Sequence, residues 1–409
     1  MPVELTVESV GAGGDGVAQT EAGAVYVPYT LSGERVLAVV TGNRGALVEI
    51  IEASPLRMRS ICQHFGECGG CALQHMQIDA YAEWKRERVI EAISARGLAP
   101  PVDAIWRAPT ASRRRAVMTA RRTSLGLSLG YHRRLNEDVV DVQSCPVMLP
   151  QIESALPRLG RVVSHLIHAG RDARITILAC DNGLDILVEP DKTPTAADLA
   201  KASRDCADIP GIVRLTVLKD EVYRRATPEL RVAGVVVIPP PGAFVQAIGT
   251  AETELARLVV EGVGKAKNVA DLFCGLGTFT FPVARTAKVT AVENDDGLLD
   301  ALNAAQRGAS GLKPITTLRR NLDKEPLSAF ELNQFDAVVL DPPYNGASAQ
   351  AREIARSKLR KAVAISCNPA SLARDARVLV DAGFRITKVA PVDQFLFSPH
   401  VELVAWFER

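Results

Sequence analysis

Cys367 lies in the run Ala364-Ile365-Ser366-Cys367-Asn368-Pro369, at the end of an apolar strand pattern from Lys361 to Ser366. A second such pattern ends in Asp341-Pro342-Pro343-Tyr344, and a third in Asp271-Leu272-Phe273-Cys274-Gly275-Leu276-Gly277. Open parallel sheets bind ligands beyond the carboxyl ends of their strands. One sheet edge is therefore expected to carry a thiol, a carboxylate and a Gly-rich loop. A thiol becomes a nucleophile once it is ionised. Beside a nucleotide-type loop, it points to covalent chemistry on a substrate with a bound cofactor close by.

The loop Asp271-x-x-x-Gly275-x-Gly277 follows a strand and precedes a helical run from Phe279 to Ala284. Its glycines let the backbone approach a ligand closely. Glu293 ends the next strand, where an acidic side chain can bond both hydroxyls of a ribose. The third glycine of the dinucleotide fingerprint is missing, because Phe281 stands near its place. That shifts the expectation from NAD toward an adenosyl cofactor that carries an amino acid.

A second constellation is Cys62-x5-Cys68-x2-Cys71, with a distant Cys145 in Ser144-Cys145-Pro146. Gly66, Gly69 and Gly70 supply turns that can aim three thiolates at one centre. Four thiolates can hold zinc tetrahedrally or an iron–sulfur cluster. The x5 loop is wider than a usual zinc knuckle, and a distant ligand next to proline resembles ferredoxin-type sites. Cys180 and Cys206 look like ordinary core or surface residues.

These residues need elements to position them. A chain of 409 residues is too long for one ordinary domain. Residues 1–53 read as short alternating strands split by glycine turns, the pattern of a small OB-like barrel used for oligonucleotide binding. Residues 54–241 read as mixed α+β. They include an amphipathic helix from Asp79 to Ala95, which can pack on the C-terminal domain, and a hairpin turning at Asn182-Gly183. Gly211 to Leu218 and Leu230 to Ile238 read as further strands, and Pro239-Pro240-Pro241 marks a boundary. Residues 242–409 alternate strands with helices in an α/β pattern of seven strands. The last two are joined by a link too short for a helical crossover, hence antiparallel. Seven strands with one reversed is the usual layout of S-adenosylmethionine-dependent methyltransferases, a Rossmann-like class I domain.

Lys plus Arg total 48 against 47 for Asp plus Glu, so net charge gives no nucleic-acid signal. Between Trp106 and Leu135, however, arginines stand at 107, 113, 114, 115, 121, 122, 133 and 134 with no acidic residue. Arginine bonds phosphate bidentately and stacks on bases, which predicts an RNA path along this stretch. The N-terminus has no basic flank followed by an apolar core, and no apolar run is long enough to span a membrane. A cytoplasmic protein with no membrane partner is expected, its cysteines reduced, catalytic or metal-bound.

Together these motifs resemble the RNA 5-methyluridine methyltransferases that carry an N-terminal TRAM domain and a 4Fe-4S cluster, in particular the 23S rRNA uridine methyltransferases. The likeness rests on the barrel, Cys62/Cys68/Cys71/Cys145, the loop Asp271 to Thr280, Asp341-Pro342-Pro343, Ser366-Cys367-Asn368-Pro369 and His400-x-Glu402. It implies Cys367 as the nucleophile that adds to carbon 6 of uracil, and Glu402 as the base that removes the carbon-5 proton. Asp341 would contact the uracil edge or the cofactor end of the pocket. Gln246, Phe273, Thr278, Glu293 and Asn321 would line the S-adenosylmethionine site with Asp271, Gly275 and Gly277. The four cysteines would hold the cluster in a structural role, and the substrate would be structured RNA, rRNA in preference to tRNA. No obligate protein partner is evident. Two departures stand out. Tyr344 replaces the arginine usual after Asp-Pro-Pro, giving the Asp-Pro-Pro-Tyr signature of enzymes that methylate exocyclic amines of adenine or guanine. Asp393-Gln394-Phe395-Leu396 replaces the usual Asp-Met-Phe-Pro.

Overall fold

A computed structural model describes residues 1–124, 126–134 and 136–409; Leu135, the far end of the arginine-rich stretch, lies outside the described residues. The N-terminal strands form a six-stranded sheet in the order Val3–Thr6, Arg35–Thr41, Arg44–Glu52, Gly23–Val27, Gly16–Thr20, Ser9–Val10. Alternate residues such as Ala18, Val25, Val27, Val36 and Ala38 turn inward and form its core, as the two-residue repeat of a strand requires.

The middle of the chain builds a seven-stranded sheet in the order Val139–Asp141, Gly126–His132, Arg115–Thr123, Asp172–Cys180, Gly183–Pro190, Ile212–Val217, Asp220–Arg224. The expected hairpin is present, with Cys180 opposite Gly183 across the turn. Cys180 and Cys206 are both buried. The helices Pro150–Leu166 and Ala196–Ala207 were not anticipated. The first buries Ile152, Leu156, Leu159, Val163 and Leu166, a spacing of three and four residues that was legible in the sequence. The run Leu230 to Ile238 is corrected from one strand to a hairpin of Leu230–Val232 and Val235–Val237. The chain reverses at Ala233 (φ 49°) and Gly234 (φ 83°), between strands of only three residues each.

The C-terminal sheet has the order Ile315–Arg319, Lys288–Glu293, Asn268–Leu272, Ala337–Leu340, Lys361–Ser366, Glu402–Glu408, Arg385–Asp393, Trp106–Arg107. Its first five strands are parallel, and Glu402–Glu408 is antiparallel to both its neighbours. The reversed strand thus inserts inside the sheet. The eighth, Trp106–Arg107, comes from far upstream and pairs in parallel with Val392 and Asp393.

The helix Ile78–Ser94 does pack on this domain. Its Val89 and Ile93 join one core with Leu372, Leu379 and Phe384. Lys85, fully buried, pairs with Asp393 at 2.5 Å and bonds the Phe395 carbonyl at 3.0 Å. Tyr81 donates its hydroxyl proton to Asp393 at 2.6 Å. A buried ammonium is tolerable only when paired in this way.

The arginine-rich stretch does not form the expected open basic face. Arg114 bonds Glu252 and the Gln246 carbonyl, and Arg121 bonds Asp172. Arg133 pairs with Glu67, and Arg134 with Asp15 of the N-terminal sheet. Arg122 bonds the carbonyls of Ser164 and Ile167, Arg113 that of Arg115, Arg115 that of Ala243, and Arg107 that of Ile78. All eight make intramolecular contacts; Arg114 and Arg115 reach the segment 243–252, and Arg134 reaches the N-terminal sheet. Charge clustering along the chain does not reveal which carboxylates and carbonyls the fold brings to meet it. No helix among the described residues is long and apolar enough to cross a membrane.

Candidate active site

The strands Asn268–Leu272, Lys288–Glu293, Ala337–Leu340 and Lys361–Ser366 all point the same way, so their carboxyl ends place Phe273, Glu293, Asp341 and Cys367 on one edge. Glu402 reaches that edge by the opposite logic: it opens an antiparallel strand, whose first residue lies beside the last residues of its neighbours. Gln246, Gly275, Thr278 and Asn321 line the same cavity of about 690 Å³. Every expected site residue outside the cysteine motif thus faces one pocket, except Asp271 and Gly277, which lie behind it.

Asp271 is completely buried and accepts the hydroxyl proton of Thr280 at 2.5 Å, while its second oxygen has no partner. Burial pushes its carboxyl up to about 7, against the Thr280 bond and with the Glu293 charge. Gly277 has φ +95°, and a Cβ there would meet the Phe281 ring at 2.7 Å. Phe273 adopts φ 62°, a region that disfavours side chains. Gly275 has φ 54° and open space where a Cβ would project. Glu293 accepts the N–H of Gly275 at 3.1 Å and those of Asn294 and Asp295 at 2.6 and 3.1 Å. An adenosyl cofactor fits these residues: bare backbone at Gly275, an acidic side chain set beside it, and an apolar wall from Phe273 and Leu276.

At the other end of the pocket stand the thiol and two carboxyls. Burial, and then the charges of Glu402 and Asp341, push the Cys367 thiol up to about 11. Glu402 is held well above the ordinary carboxylate range by burial and by Asp341; a hydrogen bond from Gln394 acts in the opposite direction. Asp341 is raised by burial and by Asp271. Carboxyl groups near one another in one dry site oppose each other's ionisation. Asn368, next to Cys367, caps the helix Pro369–Asp381 through the N–H groups of Ala370 and Ser371. Its amide also donates to the Tyr344 carbonyl at 3.2 Å. The thiol is therefore seated on a fixed strand-to-helix corner.

Several lining groups escaped the sequence. Arg320, Asp323, Phe244 and Phe395 face the cavity, and no motif marks them. The ring of Phe244 is two-thirds exposed with the Arg115 guanidinium 5.5 Å over it. Gln394 is buried behind the wall and bonds both Gln246 and Glu402. Tyr344 is at the rim, its ring edge-on to His400 at 6.4 Å between centroids.

Cys62, Cys68, Cys71 and Cys145 line a separate cavity of about 160 Å³ together with Tyr131, Leu396 and Ser398. Burial raises the thiols of Cys68, Cys71 and Cys145, and the other thiols of the group add to this; Cys71 reaches about 12. Among the described residues, no three His, Cys, Asp or Glu side chains are gathered so as to hold a single metal ion. Phe397, between Leu396 and Ser398, accepts the backbone N–H groups of Ala72 and Leu73 at 2.8 and 3.0 Å. The segment from Asp393 to Glu402 thus lies between the cysteine cavity and the reaction pocket.

Residues 235–409 match the family model described as tRNA (Uracil-5-)-methyltransferase. An RNA methyltransferase of Rhizobium meliloti (strain 1021) is 45% identical over 416 residues, covering 99% of each chain. The 23S rRNA (uracil(1939)-C(5))-methyltransferase RlmD of Vibrio vulnificus (strain YJ016) is 29% identical over 425 residues, 99% of this chain and 96% of its own. The crystal structure of Pyrococcus abyssi tRNA (uracil-54, C5)-methyltransferase with S-adenosyl-L-homocysteine superimposes with a TM-score of 0.73 at 21% identity, covering all of both chains. That likeness is one of fold. With a relative 45% identical along nearly its whole length and a C-terminal domain that matches the family model, this chain belongs to the S-adenosylmethionine-dependent RNA (uracil-5-)-methyltransferase family.

Proposed function

We propose that the protein methylates carbon 5 of a uridine in 23S rRNA through a covalent Cys367–uracil adduct. The observation that carries this is the convergence of Cys367, Asp341 and Glu402 on the cavity that also holds Phe273, Gly275 and Glu293. Carbon 5 of uracil is too poor a nucleophile to attack a methyl group unaided. Addition of the Cys367 thiolate to carbon 6 forms a carbon–sulfur bond and moves electron density to carbon 5. When bound, S-adenosylmethionine supplies an electrophilic methyl group and leaves with the electron pair of the broken bond. Glu402 then takes the carbon-5 proton, the 5,6 double bond re-forms, and the Cys367 sulfur departs. Asp341 holds the base edge, and the flipped uracil lies between Cys367 and the cofactor loop. Burial, and then the charges of Glu402 and Asp341, raise the Cys367 thiol in the free protein, so the thiolate has to form once substrate is bound.

Residues 1–53 are assigned as a TRAM-type RNA-binding module, 54–241 as the cluster-bearing middle and 242–409 as the catalytic domain. The four cysteines are assigned to a 4Fe-4S cluster. All four thiols line one cavity; a 4Fe-4S cluster is held by four such thiolates, and its iron would offset their charge. Its role is structural, because methyl transfer needs no redox step. The preference for rRNA rests on the RlmD relative; the tRNA enzyme with the same fold makes tRNA the second substrate to test.

The test is mass spectrometry of nucleosides from unmodified bulk rRNA and tRNA, incubated anaerobically with the protein and methyl-labelled S-adenosylmethionine. Labelled 5-methyluridine is expected, in the rRNA fraction. Label on an adenine or guanine amine instead would sink the covalent mechanism and assign the chemistry to Asp341-Pro342-Pro343-Tyr344.

A further inference from the structure

Glu402 must be ionised and aimed to act as a base, yet its surroundings oppose ionisation. It is almost completely buried. Asp341 faces it from the end of Ala337–Leu340, and Cys367 from the end of Lys361–Ser366. His400 is in its own loop, and Lys85, on the helix behind, is committed to Asp393. The hydrogen bond its side chain receives comes from Gln394, whose Nε2 lies 2.8 Å from Glu402 Oε2.

The orientation of the Gln394 amide is fixed by its other contacts. Its Oε1 accepts the backbone N–H of Ala247 at 3.0 Å, and a backbone N–H can only donate. The amide nitrogen must therefore face the other way, where it donates to Gln246 Oε1 at 2.7 Å and to Glu402 Oε2 at 2.8 Å. Both N–H bonds are used, and the side chain is 1% exposed. Gln394 does not line the reaction cavity, so it acts through Glu402 without touching substrate.

We propose that Gln394 is the positioning residue for the base: anchored by the Ala247 N–H, it holds Glu402 aimed at the pocket and favours its ionised form. A hydrogen bond to a carboxylate stabilises the charged state, and here it opposes both burial and the Asp341 charge. The segment's departure at this position gains a physical meaning, since the methionine usual in the family has no N–H and can make none of these bonds. The inference rests on the covalent reading of Cys367 and Glu402.

The test compares wild type with Gln394→Met, which keeps the volume and removes the donor. Two measurements are made on in-vitro 23S rRNA transcripts. Turnover to 5-methyluridine is followed as a function of pH. Adduct formation is followed on a transcript carrying 5-fluorouridine, which has no carbon-5 proton to remove and so stops at the methylated adduct. The variant is expected to lose turnover by about tenfold or more at neutral pH, with the rising limb of its pH profile moved up by about one unit. Its rate of adduct formation stays within about threefold of wild type, which also shows that it is folded. An equal loss in both measurements, or an unshifted pH limb, overturns the proposal. If wild type yields neither adduct nor 5-methyluridine, the covalent reading itself fails and this proposal with it.

Discussion

Burial, and then the charges of Glu402 and Asp341, raise the Cys367 thiol above its ordinary value. Alkylation of Cys367 by iodoacetamide should therefore have a midpoint near pH 11, set by burial, Glu402 and Asp341. Glu402→Gln removes one of those charges, so the midpoint should fall. An unmoved midpoint would show that the two groups do not interact. Cys367→Ala should lose methyl transfer by roughly 10⁴-fold or more, as deletion of a covalent nucleophile does. Asp271 gives a second, independent pH signature. Its carboxyl is raised from 3.8 to about 7 in the folded chain, so the folded state retains a proton that the unfolded state releases. The stability this contributes is complete below about pH 4 and is lost as pH rises through about 7. Asp271→Asn keeps the acceptor for Thr280 but cannot ionise. Relative to wild type it should gain stability on the order of 2 kcal/mol between pH 5 and pH 8 in urea titrations, and a pH-independent difference would refute the shift. At this scale the sequence revealed much of the site, because Cys367, Asp341, Glu293 and the glycine loop each end a strand pattern. Arg320 was invisible, and Gln394 showed only as a departure from the usual motif, since the importance of both lies in partners that only the fold brings near.

The element that ties the molecule together is the helix Ile78–Ser94. Lys85, on its buried face, is the partner of Asp393, and Asp393 directly precedes Gln394. Burial lowers the Lys85 ammonium from its ordinary value, and Asp393 opposes that shift. Lys85→Met fills the space but leaves Asp393 with Tyr81 alone in a dry site. Loss of one partner of a buried pair typically costs about 3 to 5 kcal/mol, so a fall in thermal midpoint of several degrees is expected in calorimetry. A double variant, Lys85→Met with Asp393→Leu, should recover part of that loss; no recovery would mean that the pair is not the origin. The helix itself was legible from its apolar spacing, as were the seven C-terminal strands. The eighth strand, Trp106–Arg107, was not, because two residues carry no periodicity. Nor was the hairpin at Ala233-Gly234, because the two strands are only three residues each and the reversal depends on two left-handed residues.

On the scale of the whole molecule, all eight arginines bond within the protein, and Arg134 ties the end of the strand Gly126–His132 to Asp15 of the N-terminal sheet. The cysteine cavity closes the seam between the first 150 residues and the catalytic sheet, lined from one side by Cys62, Cys68, Cys71 and Cys145 and from the other by Leu396 and Ser398. Protein purified without oxygen should contain about four irons per chain if the cluster assignment holds. Cys145→Ala should lower both the iron content and the thermal midpoint. Retention of full iron by that variant would remove Cys145 from the ligand set.

The pairing of Lys85 with Asp393 also fixes an order in time. The two residues are 308 positions apart in the chain. At roughly 5–20 residues per second, a ribosome needs about 15–60 s to travel from one to the other. Through that interval the helix Ile78–Ser94 has emerged with its apolar face uncovered, and the thiols of Cys62, Cys68 and Cys71 stand open to whatever the cell offers them. The first half of this protein is made early and finished late: its ammonium waits for Asp393 and its cysteine cavity for Leu396 and Ser398.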